Sequence, residues 1–116
     1  MLILVCGDRN WKSRSTIAAN LSEYQDDTTL IHGGCRGEDI MSEDYAKTRG
    51  WKVIRVDADW SLGLRAGPVR NRKMLDMKPD KVIAFHLNIH HSKGTRDCVK
   101  EAKRREIRIE MINWEE

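Results

Sequence analysis

The feature that most constrains this chain is an alternation. Short apolar, β-branched runs stand at Leu2–Cys6, Thr29–His32, Lys52–Val56, Lys81–Phe85 and Ile107–Ile112. Between them the apolar residues take helical spacing: Ile17, Leu21 and Tyr24; then Ile40, Met41 and Tyr45; then Val69, Met74 and Met77; then Cys98, Val99 and Ala102. Strands that alternate with helices must run parallel, because each helix carries the chain back to the same end of the sheet. Parallel strands bury both faces, so helices must cover both. Right-handed crossovers then predict a doubly wound five-stranded α/β sheet, with strand order 3-2-1-4-5 favoured and 2-1-3-4-5 the alternative.

The punctuation fits. Ser13 or Ser15 can cap the first helix, Gly50 can close the second in a left-handed conformation, and Pro79-Asp80 marks the turn after the third. The connection from Asp57 to Gly67 is too long for a plain turn, and long connections in small domains are often functional. The 116 residues suit a single domain spanning 1–116. No repeat, low-complexity tract or linker interrupts it. The longest apolar run, Met1–Cys6, is far short of a membrane span and lacks a basic leader, so a cytoplasmic protein without membrane association is expected. Cys6, Cys35 and Cys98 cannot all pair and form no CxxC, which predicts a reduced chain without a disulfide scaffold.

The net charge is +3, and it is uneven. Residues 1–58 hold 8 basic and 9 acidic residues, whereas residues 59–116 hold 13 and 9. That excess suits a small anionic ligand and is too slight for a dedicated duplex-DNA binder.

In a doubly wound sheet ligands bind beyond the carboxyl ends of the strands, so the residues that follow each strand carry the argument. Gly7-Asp8-Arg9-Asn10-Trp11 follows the first, Gly33-Gly34-Cys35-Arg36-Gly37-Glu38-Asp39 the second, and His86 through Ser92 with Lys93-Gly94-Thr95 the fourth. Glycines let backbone N–H groups approach an oxyanion, helix N-termini favour negative charge, and Arg9 and Arg36 can add charge-assisted hydrogen bonds. Three such loops on one edge read as a phosphate or carboxylate cradle. In Ala66-Gly67-Pro68-Val69-Arg70-Asn71, Arg70 and Asn71 fall in the first turn of a helix. A cation there opposes the helix dipole, which an anionic ligand or a buried carboxylate would explain.

Other candidates carry less. GxGxxG after the first strand and GxxxxGK[ST] are both absent, which disfavours an ordinary dinucleotide site or ATPase, and no cofactor is expected. His86, His90 and His91 with Cys98 match no structural zinc spacing, so no metal is expected and a polar loop over the pocket is the better reading. Cys6 reads as core, whereas Cys35, beside Arg36, could have thiolate character. Trp11 and Trp60 follow strand ends and could stack on a base; Trp51 and Trp114 read as packing residues. Lys100, Lys103, Arg104 and Arg105 read as a solvated helix face with partners such as Glu101 and Glu106.

Taken in order, Gly7-x-Arg9-x-Trp11, Ile31-His32-Gly33-Gly34-Cys35-Arg36-Gly37-Glu38-Asp39, Ala58-Asp59-Trp60, Ala66-Gly67-Pro68-Val69-Arg70-Asn71 and Gly94-Thr95-Arg96-Asp97 resemble the DUF2493 family, the YspA/cpYpsA-related branch of the SLOG superfamily of Rossmann-like domains. The resemblance covers nearly the whole chain. It implies binding of a nucleotide or nucleotide-derived small molecule, in a bacterial or phage setting. Gly7, Gly33, Gly34, Gly94 and Thr95 would line the phosphate side, with Arg9, Arg36 and Arg70 as cationic partners and Gly37, Trp60 and Asn71 completing the site. Asp39 would orient Arg36 or hold a ribose hydroxyl.

The related cytokinin-activating phosphoribohydrolases carry PGGxGTxxE, and here His86 takes the proline position while Cys98 takes that of the glutamate. N-glycosidic hydrolysis of a nucleoside monophosphate, with Asp97 one residue earlier as the acid, is therefore the enzymatic alternative. Single-stranded nucleic-acid binding, as in the relative DprA, is a third, through Arg65, Arg72, Lys73 and an exposed tryptophan. Small size and the character of the relatives also suggest a homo-oligomer.

Overall fold

A computed structural model of the chain describes residues 1–87 and 93–113; His90, His91, Ser92 and Trp114 lie outside the described residues. Its elements run β1 (Leu2–Gly7), α1 (Arg14–Leu21), β2 (Thr29–His32), α2 (Glu38–Thr48), β3 (Lys52–Arg55), a 3-10 helix (Trp60–Arg65), α3 (Ala66–Asp76), β4 (Lys81–His86), α4 (Lys93–Arg104) and β5 (Arg108–Asn113). The sheet is wholly parallel, in the order β3-β2-β1-β4-β5. This is the favoured doubly wound arrangement, with strand ends within a residue of those predicted.

Strand alternation sorts the core into two layers. Ile3, Val5, Leu30, Ile83 and Phe85 face Ile17 and Leu21 of α1 and Ala46 of α2. Leu4, Cys6, Ile31, Val82 and Ala84 face Met74 and Leu75 of α3 and Cys98, Val99 and Ala102 of α4. One register thus buries β1 and β4 from both sides. The edge strand β3 buries no residue fully: Lys52 and Arg55 are exposed, and Val53 and Ile54 are half-buried.

The ends follow the local chemistry. Ser13, not Ser15, caps α1, its hydroxyl accepting from the Thr16 N–H at 3.3 Å. Gly50 takes φ +71° after α2. The start of α3 differs from expectation. The helix begins at Ala66, so Pro68 is its third residue and Arg70 its fifth, one turn deeper than the sequence suggested. The cause is the 3-10 helix, which runs directly into α3 after a bend at Gly63. Pro68 still costs nothing, because the first four N–H groups of a helix have no intrahelical acceptor.

The basic end of α4 is more structured than a solvated face. Glu101 is buried and accepts from Arg104 Nη2 at 2.6 Å and Arg105 Nε at 3.4 Å, while Arg105 Nη1 reaches Asp76 Oδ1 at 2.7 Å. The Arg104 hydrogen bonds, with Arg105 and Arg72 nearby, hold the Glu101 carboxyl at about 2, well below the usual carboxylate range. A carboxyl depressed on folding stabilises the fold above its unfolded value, and that stabilisation is lost as pH falls through the folded value. Glu101→Gln should therefore lower the urea midpoint at pH 7, with the gap from the parent closing between about pH 4.5 and about pH 2. A gap independent of pH would show that the clamp acts through packing alone.

Candidate functional site

The carboxyl ends of β1, β2 and β4 lie side by side, and the loops that follow β1 and β2 pack on one another. Gly37 takes φ +85°, and a Cβ there would collide with the backbone carbonyl of Arg9, so the first loop rests directly on the second. The Asp8 N–H continues the β1 ladder to Phe85 O at 2.9 Å, and Asp8 Oδ1 accepts from the Asn10 N–H at 2.7 Å. These contacts give the first loop a defined turn.

The second loop is held from below. Asp39 Oδ2 accepts from the N–H groups of Gly33 and Cys35, both at 3.1 Å. His32, fully buried, accepts the Gly34 N–H at Nδ1 (2.9 Å) and presents Nε2 to Glu43 Oε1 at 3.0 Å. Nδ1 therefore carries no proton, and Nε2 donates to the carboxylate. That bond is the chief cause that lowers the Glu43 carboxyl. Asp39 thus shapes the glycine turn, whereas Arg36 stands exposed on the loop above.

Arg70 enters from the opposite face of the sheet. Its Nη1 donates to Gly33 O at 2.7 Å and its Nε to Asn71 Oδ1 at 3.0 Å. A Cβ on Gly33 would occupy the guanidinium's position, so the glycine is what admits the arginine. Asn71, itself buried, donates through Nδ2 to Gly94 O at 3.1 Å and to Asp97 Oδ2 at 3.0 Å. It therefore joins the starts of α3 and α4. Its amide is fully used by protein groups, which makes it a positioning residue for Arg70. Asp97 is engaged by Asn71 and lies 3.6 Å from Arg72 Nη1.

Of the expected residues, Gly7, Gly33, Gly34, Gly37, Asp39, Arg70, Asn71, Gly94 and Thr95 fall on this edge, with Arg9 and Arg36 exposed on its loops. Trp60 stands 72% exposed in the 3-10 helix. Trp11 departs from its reading as a stacking platform: it is buried edge-on against Phe85 at 5.5 Å, and its indole N–H donates to Ser13 O. Cys35 also departs, since burial and the nearby Asp39 raise its thiol despite the pull of Arg70 and Arg9. Among the described residues no group of three or more His, Cys, Asp or Glu could hold a metal ion, and no helix is long and apolar enough to cross a membrane. A concavity beside Leu75, Pro79 and Ile107 lies at the opposite edge of the sheet and contains none of the expected site residues.

Sequence reasoning missed Glu38. At the first position of α2 it reads as an exposed acid complementing the helix dipole. It is instead fully buried, its stem packed where a Cβ on Gly7 would lie. Oε1 accepts from Ser42 at 2.7 Å, while Oε2 and Asp39 Oδ1 have no partner among the described residues. Burial, and then the adjacent Asp39 carboxylate, push Glu38 well above the usual carboxylate range.

Two comparisons with known proteins each find a match. The model of the YspA, cpYpsA-related SLOG family matches residues 1–63. The chain is also 33% identical, over 123 aligned residues, to the Gene 61 protein of Mycobacterium phage D29, covering 97% of this chain and 94% of that protein.

Two outcomes follow from the geometry. Gly37→Ala should cost at least about 2 kcal/mol, from the left-handed backbone and the clash with the Arg9 carbonyl. Gly67→Ala, inside α3 and clear of all but its chain neighbours, gains a helix former but precedes Pro68, and should change stability by less than about 1 kcal/mol. Denaturation midpoints compare the two, and equal effects would contradict the packing of the two loops. For Glu38, a carboxyl raised on folding contributes stability below its unfolded value and loses it as pH rises through the folded value. Glu38→Gln should match the parent at about pH 5, exceed it at about pH 9 and flatten the profile between. Parallel profiles would mean that Glu38 is ionised in the folded protein.

Proposed function

The chain belongs to the YspA, cpYpsA-related SLOG family, and from that footing we propose that it binds a nucleotide or nucleotide-derived small molecule at the carboxyl edge of its sheet. Phosphate would lie between the glycine loops, within reach of Arg70, with Arg9 and Arg36 closing from the exposed side. One observation carries the reading. Arg70 is half-buried, its Nε and Nη1 meet only the neutral oxygens of Asn71 and Gly33, and it pairs with no carboxylate among the described residues. By contrast Arg14, Arg49, Arg55, Arg72, Arg104 and Arg105 each pair with an acid. A cation withdrawn from water without a counter-charge is destabilising, and a ligand anion removes that penalty.

The starts of α2 and α4 lie at this edge, and their helix dipoles add a favourable field for the same anion. Trp60, exposed beside the loop that leads into α3, offers a face for a base. Hydrolysis has no comparable support, because Asp97 is engaged by Asn71 and lies near Arg72. Single-strand binding would have to use Arg72, which is already placed near Asp97 and Glu101.

Calorimetric titration with AMP, ADP and inorganic phosphate tests the reading. Arg70→Ala should weaken phosphate-dependent binding by about 2 kcal/mol, roughly thirtyfold, the worth of a charge-assisted hydrogen bond. Gly34→Val should weaken it as well, because a β-branched residue is strained at φ +75° and would displace the turn. Unchanged affinity in both variants would overturn the site.

A further inference from the structure

His86 is the last residue of β4 and takes no part in the network just described. Its relative exposure is 7%, and neither Nδ1 nor Nε2 has a hydrogen-bond partner among the described residues. An imidazole buried with both nitrogens idle is costly and therefore uncommon. Strand parity fixes where it points. Phe85 faces the α1/α2 layer, whereas Val82 and Ala84 face α3 and α4, and His86 shares their side.

That side is where the site converges. β4 lies beside β1, and the helices that follow these strands leave on opposite faces, which makes the space beyond their ends the switch point of the sheet. The β1–β4 register ends at Gly7 and Phe85, so His86 stands one residue past the last pair on that flank, while Asn113 pairs with it on the other. On the same face Asn71 ties the start of α3, with Arg70, to Gly94 and Asp97 at the start of α4.

We propose that His86 contacts the bound ligand through both ring nitrogens, and that the ligand is accordingly a phosphorylated ribose derivative with free sugar hydroxyls. The inference rests on the nucleotide-binding reading and narrows it. A neutral imidazole offers one donor and one acceptor, on diverging sides of the ring. Phosphate oxygens accept only, so phosphate alone leaves one nitrogen unsatisfied. A sugar hydroxyl donates to the acceptor nitrogen, and a second sugar hydroxyl takes the N–H. Burial alone moves the His86 pKa down, which keeps the ring in this neutral form at neutral pH.

Calorimetry with AMP, 2′,3′-dideoxy-AMP and inorganic phosphate tests this in the full chain, with His86→Phe filling the space without polar atoms. The parent should prefer AMP over the dideoxy analogue by tenfold or more. His86→Phe should lose that preference while binding inorganic phosphate within about twofold of the parent. Retained preference in the variant, or none in the parent, overturns the role of His86 and leaves the phosphate site standing. Failure of all three probes to bind the parent overturns both readings together. Should His86→Phe not fold, the ¹⁵N resonances of the His86 ring in the parent decide: both should move on addition of AMP, and stationary signals overturn the inference.

Discussion

A single carboxylate oxygen holds the candidate site in shape. Asp39 Oδ2 gathers the N–H groups of Gly33 and Cys35, and so turns a strand end into a loop whose carbonyl faces the opposite side of the sheet. Arg70 docks on that carbonyl, Asn71 docks on Arg70, and the start of α4 docks on Asn71. The bonds made by the Asp39 carboxylate and the Arg70 guanidinium are charge-assisted, worth about 1.5–3 kcal/mol each, and that of Asn71 to Gly94 is neutral, worth about 1 kcal/mol. Their arrangement in series means that the last depends on the geometry of the first. His32 supports the same loop from β2, with its Nδ1 under the Gly34 N–H.

The charge distribution divides along similar lines. At the end of the molecule away from the site, arginines are neutralised locally: Arg105 by Asp76 and Glu101, and Arg49 by Asp26. At the carboxyl edge two acids at the start of α2, Glu38 and Asp39, are withdrawn from water instead. Glu38 is buried and driven towards its neutral form, so it offsets little of the positive field of Arg9, Arg36 and Arg70. The net charge of +3 conveys none of this, since it weighs a buried acid driven towards its neutral form equally with an exposed one.

Much of the fold was legible because parallel strands buried on both faces must be apolar throughout, and the runs at Leu2–Cys6 and Lys81–Phe85 have no other reading as compact as that. The glycine loops were legible because positive φ at Gly34 and Gly37 restricts the residue type. Several side chains were not. Trp11 follows a strand end like Trp60, yet one is core and the other exposed, because the first loop folds back over Phe85 while the 3-10 helix stands outward. Glu38 and His86 were illegible for the same reason. A polar residue in a strand-end loop looks solvated until the neighbouring chain that covers it is known, and that chain lies far away in sequence. Asn71 was placed correctly but expected to touch the ligand, and only its hydrogen-bond partners reveal that it serves Arg70.

The position of β1 in the middle of the sheet has a consequence for the order of assembly. β1 is made first on the ribosome, and β2 can join it once α1 is complete. Its other edge remains open until β4 emerges, since Ile3 pairs with Lys81. Through that interval the most apolar strand of the chain exposes a free edge and one bare face. The nascent β1–β3 unit contains neither Arg70 nor the start of α4. Closure of the sheet and completion of the candidate site are the same late event.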